Sequence, residues 1–313
     1  MIKNGMLICS FLLKARKKKK EILCNLNAPY CCDEKQYDDV FSMLQEFFDA
    51  HNELADDEKH MKMFVVDRES IRFRNETAYR VVSFAVESGA YGMEGNITDR
   101  KTGYVKYRME RNDANIKRFR CIVYVPKAVE DKVITKGIMV FQSLGAYGIK
   151  TITTNYMRDF FAQLNLTFET RSVSVRIFLE RLFREGKVHR LTLIKNRVSP
   201  DASDNMLITS GREEVSYIKP RLKPEWINRF LSFVDRGTDG DIFEVKDETF
   251  EDIKITFKMG QSYRTVGIAD IDRFSVEEEI PESIILKNGK DDAALIHHMI
   301  ETAIGYAEKM VFV

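Results

Sequence analysis

Val81-Val82-Ser83-Phe84-Ala85-Val86 runs into Gly89-Ala90-Tyr91-Gly92-Met93, and Ile138-Met139-Val140-Phe141 runs into Gly145-Ala146-Tyr147-Gly148-Ile149. Both leading runs are rich in β-branched and aromatic residues, which fit a pleated, half-buried surface. Glycine takes positive φ without a Cβ penalty and lets another backbone or a ligand approach closely, so each pentapeptide reads as a sharp exit from a strand. Two meanings follow. The pair forms either two tight turns with a tyrosine packed beneath, or a duplicated binding edge at which Tyr91 and Tyr147 face a ligand.

Outward from these runs, Phe64–Val66, Ile71–Phe73, Tyr104–Met109 and Phe119–Val125 are further short stretches of strand-like sequence. Asp99-Arg100-Lys101-Thr102-Gly103 suits a hairpin connection, with Asp opening it and Gly closing it. The whole stretch is therefore an antiparallel meander. Before it, residues 37–62 place Val40, Leu44, Phe47 and Phe48 on one face of an amphipathic helix. Met6–Leu13 is an apolar run too short to span a bilayer, and it passes into Lys14–Lys20 instead of a cleavage site, so it reads as an N-terminal strand. Beyond the second pentapeptide, the pattern predicts helices over Thr151–Leu164 and Ser172–Glu185, the latter capped by Ser172, then a strand over Val188–Val198. A helix over Pro224–Val234, strands within Phe243–Ile268 and a helix over Asp291–Lys309 follow. Strands first and helices interleaved later argue for an α+β fold, an antiparallel β-meander followed by a mixed helix-strand C-terminal part. Ser, Asp, Pro and Asn cluster between Ser199 and Gly211, which divides the chain into an N-terminal domain over 1–200 and a smaller acidic domain over 211–313.

The 313 residues are 44% hydrophobic and 31% charged, with a formal net charge of +1, which excludes a uniformly basic nucleic-acid binder. Charge is segregated instead: Lys150 to Pro200 holds ten Lys/Arg against four acids, and Asp235 to Glu282 holds 14 acids against 6 bases. The five cysteines form no Cys-x-x-Cys and no even framework, so neither disulfides nor a standard zinc site is indicated, and a cytoplasmic setting is expected. No phosphate-binding glycine loop and no G-x-S-x-G elbow occurs.

The chemistry that remains is electrostatic. Arg176, Arg181, Arg184, Lys187, Arg190, Lys195 and Arg197 form a basic helix-strand unit that suits a nucleic-acid backbone, with Tyr91 and Tyr147 as candidate stacking rings. Lys17, Lys18 and Lys19, at an expected hairpin tip, add a second polyanion-attracting run. The leading expectation is thus a binding protein for DNA or RNA, without a cofactor, acting within a larger assembly. One rival is catalytic. Pro200-Asp201 followed by Glu244-Val245-Lys246 resembles the spaced Pro-Asp and Glu-x-Lys of restriction-type nucleases, which implies Mg²⁺ held by Asp201 and Glu244 and an attacking water oriented by Lys246. The other rival is a protein-interaction or homo-oligomeric module in which basic and acidic blocks meet between subunits.

Overall fold

The computed structural model describes residues 4–17, 20–32, 35–128, 132–145, 147–173, 175–195, 211–236, 243–245, 248–250, 252–259, 262–267, 276–284, 293–308 and 310. Contacts divide the chain into two compact units, one formed by Met1–Val173 with Glu277–Val313 and the other by Ser174–Val276. The fold is α+β. This division differs from a cut within 199–211, because the C-terminal helix Ala293–Ala307 packs on strands of the first unit and returns the chain to it.

The first unit is built on a large antiparallel sheet with the path Leu166–Ser172, Asn4–Lys17, Lys136–Leu144, Lys117–Pro126, Tyr79–Ala90, Lys62–Asn75 and Ala55–Asp57. Four of these, Lys136–Leu144, Lys117–Pro126, Tyr79–Ala90 and Lys62–Asn75, form the expected meander; the stretch expected at Tyr104–Met109 pairs outside this sheet, and the helix expected over 37–62 ends at Ala50, leaving Ala55–Asp57 as an edge strand. The N-terminal strand is long and central, bonded to Lys136–Leu144 on one side and to Leu166–Ser172 on the other. Ser172 therefore sits in a strand, and the helix expected from it begins at Val175. The runs at Phe64–Val66 and Ile71–Phe73 belong to one strand, Lys62–Asn75, with a register break between Asp67 and Arg72. Ser70 bridges the break: its hydroxyl donates to the Asp67 carbonyl at 2.6 Å and accepts from the Ala85 N–H at 2.7 Å. A side chain thus takes over a hydrogen bond that the bulged ladder lacks.

Central strands read as near-continuous apolar runs because both faces of the sheet are covered. One face sets Phe11, Val82, Phe84, Cys121 and Phe141 against Phe47 and Phe48 of the helix Val40–Ala50 and Phe161 of the helix Lys150–Gln163. On the other face lie Ile8, Val81, Ile122, Tyr124, Ile138 and Val140, all buried, and the C-terminal helix contacts two of their strands, Lys117–Pro126 and Lys136–Leu144. Tyr306 of that helix donates to Glu278 at 2.7 Å. The five cysteines are free thiols, and burial pushes Cys9 up to about 12, which leaves it unreactive. Among the described residues no helix is long and apolar enough to cross a membrane.

The second unit is smaller. Its four-stranded antiparallel sheet runs Glu213–Ile218, Lys187–Lys195, Asp252–Met259, Ser262–Gly267. Leu191, Leu193, Ile253, Ile255, Phe257 and Val266 are buried on one face. That face meets the helices Val175–Glu185 and Pro224–Arg236 through Phe183, whose ring lies 5.0 Å from Phe257 and 6.0 Å from Phe230.

One ion pair in the first unit joins a helix start to the sheet. Asp39 caps the helix Val40–Ala50, accepting from the N–H groups of Phe41 and Ser42, and its other oxygen pairs with Arg80, whose guanidinium lies 4.6 Å over the Phe41 ring. Asp39→Ala removes the cap and leaves Arg80 without that anion, so we expect a loss of about 2–3 kcal/mol in urea denaturation. Asp39→Asn keeps the cap and should cost visibly less; equal losses would assign the whole effect to the Arg80 ion pair.

Candidate nucleic-acid interface

Strand alternation sends neighbouring residues to opposite faces, so register alone lists what the uncovered face of the second unit's sheet presents. Lys187 is directly opposite Lys258, Arg190 is opposite Thr256 and Ile218, and Thr192 is opposite Lys254 and Ser216. On the last strand, Lys258 meets Tyr263 and Thr256 meets Thr265. Hydroxyls pair across strands, Thr192 with Ser216 and Thr256 with Thr265, each at 2.9 Å. At one corner a bulge between Val188 and Arg190 lets His189 place its ring 4.8 Å from Tyr263, which is 53% exposed and lies 6.0 Å from the Lys258 ammonium. The exposed part of the face therefore carries four cations, hydroxyls and an exposed aromatic ring, whereas its far end, at Thr192, Ile194 and Asp252, is buried.

Lys187 and Lys258 deserve weight because like charges directly opposite in a sheet repel, typically by a few tenths to about 1 kcal/mol relative to a neutral pair. Structure that breaks a local rule without a structural gain marks a functional surface.

The sequence-derived basic residues do not form one surface. Lys187 and Arg190 lie on the sheet face, whereas Arg176, Arg181 and Arg184 lie on the helix that covers the opposite face, with Arg176 paired to Glu180 at 2.8 Å. Lys195 points to the covered side, 5.0 Å from the Phe250 ring centroid. Arg197 lies outside the described residues. Lys17 pairs with Lys20 across a hairpin whose tip, Lys18 and Lys19, also lies outside them. Of the nuclease set, Asp201 and Lys246 fall outside the described residues and Glu244 is on the short strand Phe243–Val245. Among the described residues no group of His, Cys, Asp and Glu is arranged to hold a metal ion. Reading by charge density missed Lys254, Lys258 and Tyr263, because they sit in the acidic third of the chain. Their signal is alternation: Asp252-Ile253-Lys254-Ile255-Thr256-Phe257-Lys258 is polar and apolar by turns.

The two glycine-tyrosine pentapeptides lie at the same end of the first unit's sheet but are not equivalent. Gly92 (φ 92°) carries the positive φ in the first, whereas in the second it is Gly145 (φ 61°). Gly89 has the Asn115 carbonyl where a Cβ would stand, and Gly148 has only ordinary contacts. Tyr91 is half-buried and donates to Asp56 at 2.8 Å; Tyr147 is 55% exposed, with the Lys117 ammonium 4.0 Å from its ring centroid. Lys117 is itself opposite Ser88, the residue before the first pentapeptide. No protein-family model matches the chain, and no curated protein or solved structure is significantly similar to it.

Gly92→Val forces a β-branched residue into the left-handed region with Met61 in the way, and we expect it to cost about 1–3 kcal/mol of stability. Gly148→Val should be near neutral in the same thermal melt, and equal effects would contradict the asymmetry. The Asp56 hydrogen bond, aided by desolvation, pushes Tyr91 up to about 12. Because the folded state then holds its proton more tightly than the unfolded chain, this contribution to stability is intact below about pH 10 and fades as pH rises toward 12. Asp56→Asn should return one phenol to ordinary titration in tyrosinate absorbance, and Tyr91→Phe should abolish that difference.

Proposed function

We propose that this chain is a nucleic-acid-binding protein and that the uncovered sheet face of the second unit is the contact surface. The observation that carries this reading is the cross-strand Lys187–Lys258 pair beside Arg190 and Lys254, with Tyr263 exposed next to it. Phosphates of a single strand neutralise the lysines while a base stacks on the tyrosine; the threonine and serine hydroxyls donate to phosphate or sugar oxygens. Such contacts read the backbone and a π-face, so binding depends strongly on salt and weakly on sequence. The chemistry is association, with the arginines of the covering helix outside the contact.

Two variants separate binding from stability. Lys258→Glu converts a repulsive pair into an attractive one, so we expect the fold to gain about 0.2–1 kcal/mol while affinity for a fluorescent single strand falls. The slope of log affinity against log salt should shrink by roughly 0.7 for each phosphate contact removed. Tyr263→Ala should cost about 1–3 kcal/mol of single-strand affinity with little change in melting temperature. Arg181→Glu with Arg184→Glu serves as the control. Loss of binding in that control, with Lys258→Glu unaffected, overturns the assignment to the sheet face.

A further inference from the structure

Between the central strands Tyr79–Ala90 and Lys117–Pro126 the chain leaves the sheet and forms a separate two-stranded ribbon, Gly95–Thr98 with Val105–Met109. Every residue of its first strand and all but the last of its second are exposed. An isolated hairpin is marginal in water, yet this one is built with care. Its base continues the ladder through Gly92 N–H to the Arg111 carbonyl at 2.8 Å and Asn115 N–H to the Ala90 carbonyl at 3.1 Å. Tyr107 donates to Asp113 at 2.6 Å. The tip is ordered by Asp99, which accepts from the N–H groups of Lys101 and Thr102, pairs with Lys106 at 2.8 Å and accepts from Gly103 N–H at 2.8 Å. What this frame holds out is Arg100, Lys101 and Arg108, none with an ion-pair partner among the described residues, and Tyr104, 77% exposed.

Size and charge select the occupant. Strands of four and five residues give a ribbon face on the order of 150 Å² at about 3.4 Å per residue, far below the roughly 800 Å² per partner of a stable protein interface. Phosphate contacts gain affinity from charge and counterion release, and need little area. The major groove of B-form DNA, about 12 Å wide, admits a two-stranded ribbon, whereas that of A-form RNA is too narrow and deep. We propose that the ribbon is a second contact element that enters the major groove of duplex DNA, with Arg108 toward base edges and Arg100 and Lys101 on phosphates. This rests on the nucleic-acid reading above and extends it to a substrate that contains a duplex.

The test uses fluorescence anisotropy of the full chain with a duplex DNA, a duplex RNA and a single-stranded DNA of one sequence. The triple variant Arg100→Glu, Lys101→Glu, Arg108→Glu should lower duplex DNA affinity at least tenfold and leave single-strand affinity within twofold, with Lys258→Glu showing the reverse preference. Tyr104→Ala, which alters no charge, should lower duplex affinity with an unchanged melt and guards against misfolding of the triple variant. Unchanged duplex DNA binding, or equal loss on duplex RNA, overturns the groove assignment while single-strand binding still stands. A wild-type chain that binds none of the three probes overturns the nucleic-acid reading itself. Loss of a concentration-dependent dimer in sedimentation on Ile97→Ser, with duplex binding intact, assigns the ribbon to self-association instead.

Discussion

The first unit depends on the Asn4–Lys17 strand, which is bonded along both edges and buried on both faces. Its partners are remote in sequence: Cys9 faces Met139 on one side and Ser172 on the other, and Val276–Glu279 pairs beside its start. Closing such loops costs entropy that rises only slowly with length, and burial of Met6, Ile8, Phe11, Leu12 and Leu13 offsets it. A one-residue slip in this strand would exchange its two apolar faces and misplace every one of those contacts. Removal of the strand would leave Lys136–Leu144 and Leu166–Ser172 as unpaired edges.

Around that frame, polar residues are used for two separate purposes. Inside the first unit they hold geometry: Asp39 joins a helix start to Arg80, Ser70 spans a bulge, and Asp56 tethers the Tyr91 turn. On the second unit's sheet they act only between neighbouring strands. Lys187 and Lys258 oppose each other, and hydroxyls pair laterally instead of bridging to another layer. The ribbon of the first unit has a tip braced by Asp99, and Arg100, Lys101 and Arg108 have no ion-pair partner among the described residues.

The glycine-tyrosine repeat illustrates how similar sequence acquires different roles. Identical Gly-Ala-Tyr-Gly strings differ in which glycine takes positive φ, because the first continues into the ribbon base and the second returns along its own strand as the bridge Ser143–Gly148 and Leu144–Tyr147. The tyrosine in one is held by a carboxylate and in the other lies under an ammonium. Local sequence permits both; the neighbouring strands choose.

Much of the fold was legible in local pattern. Alternation marked the strands from Lys62 to Leu144, the Val40–Phe48 stripe marked a helix, and Asp99 with Gly103 marked the hairpin tip, because periodicity and turn chemistry are encoded within a few residues. The helix start at Val175 was not, since Ser172 suits a cap and a strand alike and pairing with Cys9 decided between them. The proposed contact surface was legible only in part. Charge density along the chain singled out Lys187 and Arg190, but also Arg181 and Arg184, which share their segment and not their face. Lys254, Lys258 and Tyr263 come from a segment whose net charge is negative, and they join the site because antiparallel pairing sets Asp252–Met259 beside Lys187–Lys195. Sequence by itself determined most of the strands, helices and turns; only the tertiary structure decided where pairing overrides local preference, as at Ser172, and which charges share a face, because strand pairing brings residues together regardless of their separation along the chain.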